Sequence, residues 1–171
     1  AGTVLTGRTL EDIIEEMLVT VFNPTLVNPN NAISDDTANT QEVGVTAATI
    51  NFNSSFNRGL ITPAYGTSGF RSGLPNTYTY TGTGLPASVV STSLTDVQAI
   101  NNYVILSGLT SWTNTVSYDI GEQPLDSEGG NYLSPLPAGT TSVKTTTING
   151  IYPWFYGVSA TEKTKPVILH V

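Results

Sequence analysis

The chain has no cysteine, one histidine and one methionine in 171 residues. Without cysteine there is no disulfide framework and no thiolate chemistry. The single histidine, His170, lies in the apolar run Pro166-Val-Ile-Leu-His-Val171. A Ser-His-Asp triad would have to use it, and a strand histidine with no catalytic role fits that setting better. There is no G-x-S-x-G elbow and no H-E-x-x-H pair. Charge is also scarce. Only 11% of residues are charged, with 6 Lys and Arg against 13 Asp and Glu, for a net charge of −7. The basic residues Arg8, Arg58, Arg71, Lys144, Lys163 and Lys165 are scattered. They make no patch that would neutralise a row of phosphates, so nucleic acid is not expected as a partner. No apolar run is long enough to cross a bilayer, and no basic leader precedes one, so membrane insertion is not expected.

What remains is a chain of Thr, Ser, Asn, Gly and aromatics. Hydroxyls and amides must keep such a surface soluble, and threonine favours strands. The length suits one domain with an appended arm. One segment has helical spacing. Leu10, Ile13, Ile14, Met17, Leu18 and Val21 recur on one face. Thr9 and Asp12 make a capping-box pattern, and Asn23-Pro24 stops the run. A helix this short needs a partner, either the domain that follows or copies of itself.

Three regions are therefore expected: an N-terminal helical segment over 1–23, a linker rich in Asn, Pro and Asp over 24–42, and a β domain over 43–171. Within the last, Val43, Val45, Ile50 and Phe52 are candidate inward positions of a first strand. Thr77–Thr81 alternates. Asn102–Ser107 and Ser111–Ile120 flank Gly108 and read as a hairpin or meander. Ser142–Ile148 is a Thr-rich strand, with Asn149-Gly150 as a turn signal and Ile151–Tyr156 beyond it. Two long loops, 60–76 and 121–139, are rich in Gly, Pro and Ser. The expected fold is a mainly β, antiparallel β-sandwich with one short N-terminal amphipathic helix. The Ala1 start and the strand-like close at Val171 read as a fragment of a longer protein.

Carboxylates are available, but none sits in an apolar context that would raise its pKa as acid catalysis requires. Asp119, Glu122, Asp126 and Glu128 gather near Gly129-Gly130-Asn131, a setting that suits calcium. The spacing matches no EF-hand, and a solvated acidic loop is the simpler reading. The aromatics carry more weight. Trp112, Tyr152, Trp154 and Tyr156 are candidates for contact with a ligand or a neighbouring subunit. Tyr78, Tyr80, Tyr103 and Tyr118 lie on other strands. Packing within the protein or between subunits is favoured over ligand binding.

Three stretches occur in order: Gly7-Arg-Thr-Leu-Glu-Asp-Ile-Ile-Glu-Glu-Met-Leu18, then Gln41-Glu-Val-Gly44, then Thr147-Ile-Asn-Gly-Ile-Tyr-Pro-Trp-Phe-Tyr-Gly157. Together they resemble a module of the fibre and appendage proteins of tailed bacteriophages, especially Bacteroidetes-infecting and crAss-like phages. The resemblance spans nearly the whole chain, and the order of the stretches carries it more than any one of them. It implies a non-enzymatic virion protein of the head or tail, assembled in the host cytoplasm as a homo-oligomer, often a trimer, beside other virion proteins. It implies no catalytic residue and no cofactor. Leu10, Ile13, Ile14, Met17 and Leu18 would then be buried between subunits. The alternative is a host-glycan or receptor-binding module that uses exposed aromatics.

Overall fold

The computed structural model describes residues 9–11, 14, 20–63 and 66–153. Eleven strands are defined among them: β1 (Thr25–Val27), β2 (Asn30–Asp35), β3 (Thr40–Glu42), β4 (Thr46–Asn57), β5 (Leu60–Thr62), β6 (Pro75–Thr81), β7 (Ser88–Val90), β8 (Thr95–Val104), β9 (Gly108–Tyr118), β10 (Gly139–Thr140) and β11 (Lys144–Ile151). They form a three-stranded sheet of order β2-β4-β8, a larger sheet of order β3-β11-β9-β6-β7, and a small β1-β5 ribbon. β10 pairs with β9 beyond the stretch that β11 occupies. Every pairing is antiparallel except β3 with β11, which is parallel. The chain is thus mainly β, as its composition predicts.

The two main sheets share one core. Ile33, Ile50, Phe52, Phe56, Ile100 and Tyr103 from one side meet Tyr78, Tyr80, Trp112, Val116, Tyr118 and Ile148 from the other. Period-two alternation explains the choice of side chains. In β9, Trp112, Asn114, Val116 and Tyr118 face inward while the residues between them do not. Aromatic rings join the sheets. Phe52 lies 5.0 Å from Trp112 and Phe56 lies 5.8 Å from Tyr118 between centroids. A polar link crosses the same core. Asn31 Nδ2 on β2 donates to Asn114 Oδ1 (2.6 Å) and to the Asn114 carbonyl (3.1 Å) on β9. Thr146 on β11 likewise donates to the Asp35 carboxylate at 2.6 Å.

Several sequence expectations are corrected. The stretch 24–42, read as a linker, carries β1, β2 and β3, and Asn31 and Ile33 from it are buried. Its Asn and Asp residues suggested a loop, but β2 alternates polar-out and buried-in beside β4. Val45 is exposed, whereas Ile50 and Phe52 are inward as expected. Residues 102–107 and 111–120 do not form a hairpin. β8 and β9 belong to different sheets, so Ile105–Ser107 is a crossover between them. β8 also begins at Thr95, earlier than its pattern suggests. Its inward positions shift from Ile100 to Tyr103, and the left-handed Asn102 (φ 55°) absorbs the change. The alternation is broken there, so a period-two reading loses the first half of the strand. The helix expected over Leu10–Val21 falls largely outside the described residues, Ile13, Met17 and Leu18 among them.

Asn149-Gly150 is not a turn. Both lie within β11, opposite Leu109 and Gly108 on β9 and beside Thr40 and Gln41 on β3. Glycine is required at position 150 by close approach. A Cβ there would collide with the Leu106 carbonyl oxygen and lie 2.9 Å from the Leu106 carbonyl carbon. Because that neighbour is backbone, it cannot swing aside as a flexible side chain would. Gly150→Ala is expected to cost about 1–3 kcal/mol, as overpacking does, with the loss read as a lower urea midpoint at unchanged m.

Candidate functional site

Trp112 has no exposed surface, and its indole N–H donates to the Thr83 carbonyl at 3.0 Å. Gly82, at φ +144°, lets the chain pass directly over the indole ring. The expectation of Trp112 as a ligand or subunit contact is therefore corrected: a ring with no accessible face cannot stack on a sugar. Tyr78, Tyr80, Tyr103 and Tyr118 are buried as well. Tyr80 donates to Asp96 Oδ2 at 2.6 Å, and Tyr78 donates to the Ser93 carbonyl at 2.8 Å. Burial, reinforced by the Asp96 charge, pushes the Tyr78 hydroxyl up to about 12. Burial and the hydrogen bond to Asp96 raise Tyr80 further in the same direction. Both hydroxyls are held neutral, and they pin β6 to Ser93 and Asp96. Tyr152 is partly exposed, and Trp154, Tyr156 and His170 lie outside the described residues.

The acidic loop resolves into separate local roles. Asp119 Oδ1 accepts from Asn76 at 3.0 Å. Glu122 lies 3.8 Å from Arg58, which also stacks 3.9 Å over the Phe70 ring and donates to the Ser72 and Gly73 carbonyls. Asp126 Oδ1 accepts the backbone N–H groups of Glu128 and Gly130, a tight turn closed on itself. Three of the four carboxylates suggested for calcium, those of Asp119, Glu122 and Asp126, thus sit in three separate local arrangements. Among the described residues, no three metal-binding side chains converge. A cleft of about 420 Å³ lies between this loop and 61–69, lined in part by Ile61, Thr67, Glu122, Leu125 and Asp126. Its two carboxylates are those already engaged by Arg58 and by the Asp126 turn.

The ends of the two-sheet body are more informative. Phe22 and Ser127 exchange hydrogen bonds, Phe22 N–H to Ser127 Oγ (2.9 Å) and Ser127 N–H to the Phe22 carbonyl (3.0 Å). The described chain therefore joins the body at the end that carries loops 60–74 and 119–138. β2 then runs up beside β4, and β3 lies beside the last residues of β11. The chain leaves β11 at Ile151, next to the start of β9 and the β3–β4 turn, which is the opposite end. An eleven-residue β9 sets that separation at roughly 35 Å.

No protein-family model, curated protein or solved structure matches the chain.

The exit end holds side chains that sequence reading did not single out as a group. Val45, Val104, Leu106, Leu109 and Ile151 are each between 44% and 69% exposed there. The signal that could have found most of them is an apolar residue directly after a glycine in three places, Gly44-Val45, Gly108-Leu109 and Gly150-Ile151. Only the fold brings the three together.

Proposed function

We propose that this chain is a non-enzymatic structural module of a bacteriophage virion, a fibre or appendage unit that assembles as a homo-oligomer on the capsid or tail. The single observation that carries the reading is the path of the described chain, whose joint with the body at Phe22 and whose last strand residue, Ile151, lie at opposite ends. Modules threaded in that way join in series into a rod. Supporting it are two sheets that share an aromatic core, read as an antiparallel β-sandwich, and a surface made polar by Thr, Ser and Asn rather than by charge. The burial of Trp112 weighs against the alternative of glycan binding by exposed aromatics.

The segment Leu10–Val21 is the helix of this reading, a self-association element ahead of the β domain. Leu10, Ile14 and Val21, the three described members of its apolar face, are 73%, 46% and 48% exposed, as side chains awaiting a partner would be. The test is absolute mass by light scattering after size exclusion. A stable oligomer, preferably a trimer, weakened by Ile14→Asp or Met17→Asp, is the expected result. A strict monomer at every concentration sinks the reading.

A further inference from the structure

We infer that the exit end of the body is a self-association surface, and that it takes a second copy of this chain. The inference rests on the structural reading above and adds to it a second contact, distinct from the helix. Three segments form this end: the β3–β4 turn, the β8–β9 crossover and the end of β11. They are held together by backbone bonds. Gly44 N–H donates to the Ile105 carbonyl at 3.0 Å, Ile105 N–H to the Val45 carbonyl at 2.9 Å, and Val43 N–H to the Ile151 carbonyl at 3.0 Å. Gly150 packs against Leu106 so closely that no side chain fits between them. The surface is thus pre-organised, and a partner does not have to order it.

Its chemistry selects the partner. No residue in 43–49, 104–110 or 149–153 is charged. Glu42, in register with Ile151, stands at the margin. The opposite end carries Asp119, Glu122, Asp126 and Glu128. In a chain of net charge −7, two copies repel wherever acidic surfaces meet. The neutral exit end is where they approach without that cost. Val45, Val104, Leu106, Leu109 and Ile151 there supply apolar area that water leaves unsatisfied. The positions a Cβ would take at Gly44 and Gly108 meet nothing within 4 Å, so both turns are open to an incoming surface. β3, only three residues long, is the edge of its sheet at this end and pairs with β11 alone among the described strands.

The test is a concentration series of the full chain by light scattering, with the double variant Leu109→Asp/Ile151→Asp. Both side chains are exposed, so circular dichroism and the melting temperature should be unchanged. The association constant should fall about 30-fold or more, the effect of losing one central contact worth about 2 kcal/mol. Val90→Asp, at a still more exposed apolar position on β7, should leave the mass unchanged. If the double variant keeps wild-type mass while Ile14→Asp dissolves the oligomer, the fibre reading stands and the exit-end contact is wrong. If Val90→Asp is as disruptive as the double variant, the effect is not specific to this end and the inference falls. It falls too if dye binding to the patch appears only after deletion of residues 154–171, because the cover is then the chain's own continuation. A wild-type monomer at all concentrations removes both readings together.

Discussion

Trp112→Ala is expected to be the most destabilising single substitution in the described body, at about 3–5 kcal/mol. The ring is fully buried between the sheets. It meets Phe52 at 5.0 Å and Tyr103 at 5.4 Å, edge-on to the latter, and its N–H is satisfied by Thr83. Truncation loses the transfer energy of the largest buried side chain and leaves a cavity lined by two aromatics and by Gly82. Those neighbours sit on three different strands and loops, so they cannot all collapse inward together. The orphaned Thr83 carbonyl adds to the loss. Against a typical total of roughly 5–15 kcal/mol, this removes much of the stability of the fold. A urea melt checks it. A loss under about 1 kcal/mol would mean that the two sheets are not held by this ring. Trp112→Phe, which keeps most of the apolar volume, should retain more than half of what alanine loses.

Alkaline pH should unfold the domain, with the loss starting near pH 10. Burial first, and Asp96 second, holds the Tyr78 hydroxyl protonated until about 12 in the folded chain. The unfolded chain releases the same proton near 10. The folded state therefore binds more protons above pH 10, and stability must fall as pH rises. The contribution is fully present below pH 10. It is lost through the interval from 10 to 12, at about 1.4 kcal/mol per pH unit and about 3 kcal/mol in all for Tyr78 alone. Tyr80 shifts in the same direction and steepens the fall. Melting temperature measured from pH 7 to 11.5 should be level at first and then drop. Tyr78→Phe should be less stable at neutral pH, because the Ser93 carbonyl loses its donor, and shallower above pH 10. An equally steep fall in a variant lacking both hydroxyls would assign the alkaline transition to other groups.

Much of the body was legible in the sequence because local chemistry and tertiary role agree there. Thr77–Thr81 alternates and lies within β6, and the run expected over 111–120 is strand as far as Tyr118, the end of β9. Ile50 and Phe52 were legible for the same reason, since a period-two pattern names the buried face before any partner is known. The failures share a cause. Asn149-Gly150 has the composition of a turn, yet Gly150 is there to let Leu106 approach. Sequence cannot separate those two reasons for a glycine, because one is local and the other belongs to a residue more than forty positions away. Asn102 hides the first half of β8 because a single left-handed residue reverses which side chains face inward.

The candidate surface divides in the same way. Composition alone made the chain β-rich, low in charge and poor in catalytic groups, since those properties belong to the residues whatever their arrangement. That Trp112 would be core and Leu109 surface was decided only by the fold. Both are large apolar side chains on one strand, three positions apart, and an odd spacing on a pleated strand puts them on opposite faces. Which face becomes the core depends on where the second sheet lies, and that is set by the crossover from β8 to β9. The exit end likewise exists only because three segments more than forty residues apart converge on one place, held by backbone hydrogen bonds that any sequence could make and only this topology aligns.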